Sequence, residues 1–174
     1  MMKRIVFATV IFSILMMSAC KKDKDTEPEE VYSGISLEEY INQNYPNLTP
    51  IDESGVYVII TDSGAGALPS EGDLLYCYYK GFYLDGTPFD TLYQRPADED
   101  LPDYSGRTPY PFTYLPADTI KHIAGWYKGF GQLKRGSKAT FLLPADQAYG
   151  EKGKKPILPN TPLRFDVELI NDRK

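Results

Sequence analysis

The sequence predicts an α+β domain, a mainly antiparallel sheet with one short helix packed on it, and three observations lead there. Residues 163–169 alternate without a break, with Leu163, Phe165, Val167 and Leu169 on one side and Arg164, Asp166 and Glu168 on the other. That period of two belongs to a strand with one buried face. Ile123, Trp126, Phe130 and Leu133 recur at i, i+3, i+7 and i+10, which puts them on one face of a helix. Finally, 14 Tyr, 14 Gly and 14 Pro in 174 residues favour strands joined by frequent turns over a helical bundle.

The remaining elements follow in chain order. Residues 1–19 are outside the fold. Lys3 and Arg4 form a positive start, residues 5–17 are an apolar run short for a bilayer span, and the small Ser18 and Ala19 precede Cys20. This is the layout of a secretory signal, and residues 17–20 resemble a bacterial lipobox, which makes Cys20 the expected site of lipidation. Residues 20–35 then form a lipidated Cys and tether, since KKDKDTEPEE has no apolar side chain to bury. Lys21 directly after the anchor favours the outer membrane by resemblance to bacterial sorting rules.

Residues 36–50 hold a short helix and linker. Ser36 is the N-cap, Glu39 completes a capping box, and Pro46 and Pro50 end the element. The main domain spans 51–174. Strands are expected at 55–61 (GVYVIIT), 74–83 and 139–143, and Asp85-Gly86 marks a turn. Residues 91–111, with four prolines, a short acidic run and three tyrosines, read as a long surface loop. Lys134-Arg135-Gly136 is expected to close the helix that carries Trp126.

Composition excludes several classes of function. A net charge of −5 leaves no electrostatic footprint for nucleic acid. One histidine and two cysteines without metal-ligand spacing predict no metal site, and no cofactor is expected.

A set of short stretches, in order, carries a more specific message. They are Tyr79-Lys80-Gly81, Asp85-Gly86-Thr87-Pro88-Phe89-Asp90, Pro111-Phe112 and Ile123-Ala124-Gly125-Trp126 with Gly129 and Gly136. Ala148-Tyr149-Gly150, Pro159-Asn160 and residues 165–169 (FDVEL) complete it. Over residues 53–170 this set resembles the FK506-binding protein (FKBP) family of peptidyl-prolyl cis/trans isomerases. The resemblance implies a twisted antiparallel sheet wrapped around a short helix, with a hydrophobic pocket between them. It makes Trp126 the pocket floor and Tyr79, Phe89, Phe112, Ile123, Ile157, Tyr149 and Phe165 its walls. Asp90 becomes a polar group on the rim, and the Ile123 N–H and the Tyr149 phenol become partners of substrate carbonyls. Tyr79, Asp90 and Tyr149 are thus the candidate catalytic residues. Phe89, Phe112, His122, Ile123, Trp126, Ile157 and Phe165 are the candidate substrate-binding residues.

Departures from the family pattern are local. The segment 91–110 is longer than in the family and contains Arg95 and Arg107, either of which can be the partner of Asp90. His122 stands where Val is common, and Leu158 replaces a Pro. The implied partners are proline-containing polypeptides, FK506-like macrolides, and a membrane reached through Cys20. The implied function is assistance to the folding of exported proteins, with a peptide-binding module of weak or no turnover as the alternative.

Overall fold

A computed structural model gives the fold of residues 32–91, 109–115 and 121–171. Two α-helices, α1 (Leu37–Asn44) and α2 (Ala124–Phe130), accompany six strands. The strands are β1 (Tyr57–Asp62), β2 (Leu74–Tyr83), β3 (Pro88–Thr91), β4 (Tyr110–Thr113), β5 (Lys138–Leu143) and β6 (Leu163–Leu169). They form one antiparallel sheet in the order β1-β5-β6-β2-β3, and β4 also pairs with β2. The α+β architecture expected from the sequence is the one observed.

Strand β2 organises the site. One edge pairs with β6 along its length, from Cys77 opposite Leu169 to Tyr83 opposite Leu163. Its other edge is shared between two short strands. Leu74 to Cys77 pair with β4, and Lys80 to Phe82 pair with β3. The turn between β2 and β3 is built by Asp85, whose carboxylate accepts from the Thr87 N–H at 2.8 Å, and by Gly86 at φ +90°. An L side chain rarely adopts that conformation.

The alternation of β6 is reproduced. Leu163, Phe165, Val167 and Leu169 are buried and face α2 across a core of Phe130, Leu133, Phe141 and Leu143. The opposite face is polar. Arg164 donates to both Asp166 oxygens at 3.0 and 2.6 Å, and the Thr140 hydroxyl donates to Asp166 at 2.8 Å.

Three sequence expectations need correction. The helix carrying Trp126 ends at Phe130, so Leu133 lies in the turn that follows, although its side chain is fully buried. Gly129 and Gly131 weaken the helix just where its last turn would form. Gly136, at φ +87°, therefore belongs to the turn leading into β5 and does not cap the helix. Tyr110 and Pro111 are strand, not loop, because the free edge of β2 takes up their backbone groups. The capping box of α1 is half formed. The Glu39 N–H donates to Ser36 Oγ at 3.1 Å, while the Glu39 carboxylate accepts from Gln43.

Candidate functional site

Glycines bring α2 onto the sheet. A Cβ on Gly129 would stand 2.7 Å from the Phe141 ring, and one on Gly125 would stand 2.6 Å from Leu143. Without those side chains the helix settles close, and Trp126 projects between α2 and β2. The indole is 5% exposed. Tyr79 meets it edge-on at 4.9 Å between centroids and Phe165 at 5.6 Å. Tyr110 (6.0 Å) and Phe112 (5.9 Å) close the ring of contacts. Such edge-to-face pairs add about 0.5–1.5 kcal/mol each beyond area burial, so the floor of the site is held rigidly. Trp126 Nε1 is buried and has no acceptor among the described residues.

Above this floor is an open cavity of about 570 Å³. Tyr79, Asp90, His122, Ile123, Trp126, Tyr149 and Phe165 all line it, as the sequence led us to expect. Three other expected residues stand elsewhere. Phe112 is buried beneath the floor, 4.9 Å from the Phe130 ring. Phe89 packs edge-on against Phe165 and tilted against Tyr83, behind the wall. Ile157 is a core residue whose backbone pairs with Lys154. The wall position expected of Phe112 is taken by Tyr110, two residues earlier on the same face of β4. The period-two alternation of Tyr110 and Phe112 was the available signal for this residue. Lys121, Lys152, Lys154 and Asp146 also reach the rim. Cys20, Arg95 and Arg107 lie outside the described residues.

Each phenol in the cavity has a different setting. Tyr79 donates to Asp90 Oδ2 at 3.0 Å. Burial, then the Asp90 charge and this bond, push its pKa above the ordinary tyrosine value. Tyr149 is raised by burial first and then by Asp90 and Tyr110, and its hydroxyl has no partner among the described residues. Tyr110 is raised by burial, then by Cys77 and Asp90, and its hydroxyl lies 3.1 Å from His122 Nε2. All three are therefore neutral at physiological pH and remain hydrogen-bond donors. Ile123 is the N-cap of α2, in an extended conformation at φ −63° and ψ 143°. Its N–H has no acceptor among the described residues. The site thus offers a buried aromatic floor, neutral donors around it, and one carboxylate on the rim. Among the described residues no group of three or more His, Cys, Asp or Glu is placed to hold a metal.

The chain is similar to known proteins in sequence and fold. A family model described as FKBP-type peptidyl-prolyl cis-trans isomerase matches residues 66–170. The FKBP-type peptidyl-prolyl cis-trans isomerase FkpA of Escherichia coli K12 is 32% identical over 151 residues, covering 87% of this chain and 49% of that one. FkpA of Aeromonas hydrophila is 33% identical over 155 residues, covering 88% and 50%. The chain therefore spans about half the length of the curated relatives it matches. The crystal structure of FkpA from Escherichia coli superposes with a TM-score of 0.62 at 29% identity, over 78% of this chain and 56% of that one. The crystal structure of AtFKBP13 gives 0.59 at 26% identity, over 72% and 98%.

Proposed function

The chain belongs to the FKBP-type peptidyl-prolyl cis-trans isomerase family, and on that premise we propose that its cavity binds X-Pro segments of polypeptides and speeds their cis/trans exchange. The observation that carries this reading is the rigid aromatic floor at Trp126 with neutral donors around it.

A peptide bond resists rotation by ~18–20 kcal/mol because of amide resonance. For X-Pro the two isomers differ by only about 0.5–1 kcal/mol, so a catalyst has only the barrier to lower. At the top of the barrier the amide is twisted and its charge separation is reduced. A dry aromatic surface disfavours the planar, polar amide more than the twisted one, and that difference lowers the barrier. Tyr149 and the Ile123 N–H hold the flanking carbonyls, while Asp90, steadied by Tyr79, supplies a polar contact at the rim. No nucleophile or metal is required. Isomer exchange of a proline tetrapeptide, followed by NMR at micromolar enzyme, tests the proposal, and the absence of any acceleration refutes it.

Capture without turnover is the second reading, and one observation favours it. Asp90, which precedes the insertion 91–110, and Tyr110, its last residue, both line the cavity. Whatever sequence the insertion carries leaves and returns at the rim. The tetrapeptide assay separates the two readings, and shortening the insertion tests its part in capture. Loss of help to a proline-limited folding protein, with unchanged turnover of a tetrapeptide, assigns client capture to the insertion.

The finer parts of the reading are placement and inhibitor binding. Among the described residues no helix is long and apolar enough to cross a membrane. We assign attachment to acyl chains on Cys20, each buried methylene contributing about 0.8 kcal/mol, with the folding of exported proteins as the task. Cys20→Ala should abolish incorporation of labelled palmitate in a bacterial host. An FK506-like macrolide seated on the floor should quench Trp126, the only tryptophan.

A further inference from the structure

His122 is the only histidine of the chain and stands where the floor meets the cavity wall. Its ring is parallel to the Trp126 indole within 7°, with centroids 6.0 Å apart. Nε2 lies 3.1 Å from the Tyr110 hydroxyl, and Nδ1 lies 3.2 Å from the Tyr127 hydroxyl. The two phenols differ in what they can reach. Tyr127 is buried on α2, whereas Tyr110 lines the cavity.

A neutral imidazole donates at one nitrogen and accepts at the other, and a phenol has one proton to give. Two arrangements follow with the same number of protons and no change of charge. With the proton on Nδ1, His122 donates to the Tyr127 oxygen, whose own proton turns away from the ring, and accepts from Tyr110, so the Tyr110 proton is committed inward. With the proton on Nε2, Tyr127 donates to Nδ1 and His122 donates to the Tyr110 oxygen. The Tyr110 proton is then released toward the cavity. His122 is only half-buried, so its proton can exchange between the two nitrogens through water.

We propose that His122 is a positioning residue whose tautomer decides whether Tyr110 presents its hydroxyl proton to the cavity as a second donor, beside Tyr149, for a substrate carbonyl. This rests on the cavity being the X-Pro site. Tyr79 does not fill the same role, because its proton is held by Asp90. Burial of Tyr110 keeps the phenol protonated, so the donor is present whichever way it turns.

A single histidine makes the test direct. Long-range proton–nitrogen NMR of the full chain reports the tautomer of His122 without assignment. Saturation with an Ala-Pro tetrapeptide should move the population toward Nε2–H. In Tyr110→Phe the same peptide should leave the tautomer where it was. KM should rise about threefold to tenfold in that variant, the loss of one neutral hydrogen bond, with kcat changed less than about twofold. His122→Leu should raise KM to the same degree, and the double variant no further. His122→Gln, which keeps an amide donor, should recover most of the lost affinity. An unchanged tautomer in wild type under saturating peptide overturns the proposal, and so does Tyr110→Phe with the wild-type KM. Peptide binding without any acceleration of exchange refutes the isomerase reading alone, because the tautomer measurement needs binding and not turnover. A peptide that does not bind refutes both.

Discussion

Replacing Gly81 by Ala tests how the wall of the cavity is assembled. Gly81 is buried in β2, two residues beyond Tyr79 on the same face. A Cβ there would stand 2.5 Å from Phe89 Cζ, 2.7 Å from Cε2 and 3.1 Å from Phe165 Cε1. Phe89 and Phe165 are packed edge-on at 5.6 Å, so neither ring can retreat without breaking that pair. Forcing a methyl into a filled core costs about 1–3 kcal/mol. Replacing Gly by Ala within a strand returns about 0.5–1 kcal/mol of backbone entropy. The balance is a net loss of up to about 2.5 kcal/mol, centred near 1 kcal/mol, or roughly 4 °C in Tm for a domain of this size. Urea unfolding of Gly81→Ala, Phe89→Leu and the double variant gives the coupling. The double should be less destabilised than the sum of the singles by about 1 kcal/mol, because the smaller side chain makes room for the methyl. Additive losses, or a Gly81→Ala variant as stable as wild type, would refute the claim that the glycine exists to admit the Phe89 ring.

Further outcomes are expected from named contacts. Trp126→Ala removes the floor from beneath six rings, and a loss of about 3–5 kcal/mol in denaturant unfolding is expected; a loss under 1 kcal/mol would contradict a packed floor. Asp90→Asn keeps the shape but removes the charge beside Tyr79, so the Tyr79 phenol should ionise at lower pH in a spectroscopic titration; an unmoved midpoint would disprove the coupling. Asp52, hydrogen-bonded to Lys128 of α2 at 2.8 Å and to Ser54, has its pKa lowered from 3.8 to about 2. A lowered acid pKa means the folded state holds fewer protons than the unfolded one between those values. The contribution of the pair is thus complete above about pH 4 and is lost as pH falls through about 2. The stability gap between wild type and Asp52→Asn should close over that range, and a constant gap would show that the charge plays no part. Leu133→Ala should cost about 2–5 kcal/mol although Leu133 lies outside the helix, since burial rather than helical placement sets its contribution.

What the sequence revealed and what it concealed follow from the range of the interactions. Strand β6 carries its own period-two pattern, β2 is a run rich in apolar and aromatic residues, and the turn at Asp85-Gly86 is a local chemical signal, so all three were readable from neighbouring residues. The end of α2 was not. The apolar period runs on through Leu133, and only close packing of Gly129 on Phe141 and the weak propensity of Gly131 stop the helix early. Strand β4 has four residues, two of them Tyr110 and Pro111, and it exists because a distant edge of β2 is free to pair. In the site, Trp126, Tyr79, Asp90, Tyr149 and Phe165 were named by ordered motifs and do meet around one cavity. The exchange of Phe112 for Tyr110 was only partly legible, because alternation says that the two share a face and not how far along the strand the cavity extends. The tie from His122 to two phenols joins β4 to α2 in space, and nothing in the linear order announces it.

The shared edge of β2 has an engineering consequence. The chain leaves the sheet opposite Lys80 and rejoins it opposite Cys77, a gap of three residues or about 10 Å along the strand. Both ladders are fixed by β2 itself, so the register of the sheet is independent of how much chain closes the gap. Doubling the length of a flexible closure costs only about 0.6 kcal/mol. The domain therefore carries a port beside its own cavity, where foreign peptide can be spliced in, trimmed or exchanged while the core keeps its register. A guest sequence placed there is held within reach of the aromatic floor at a high local concentration, which makes the scaffold suited to display proline-containing segments to its own site.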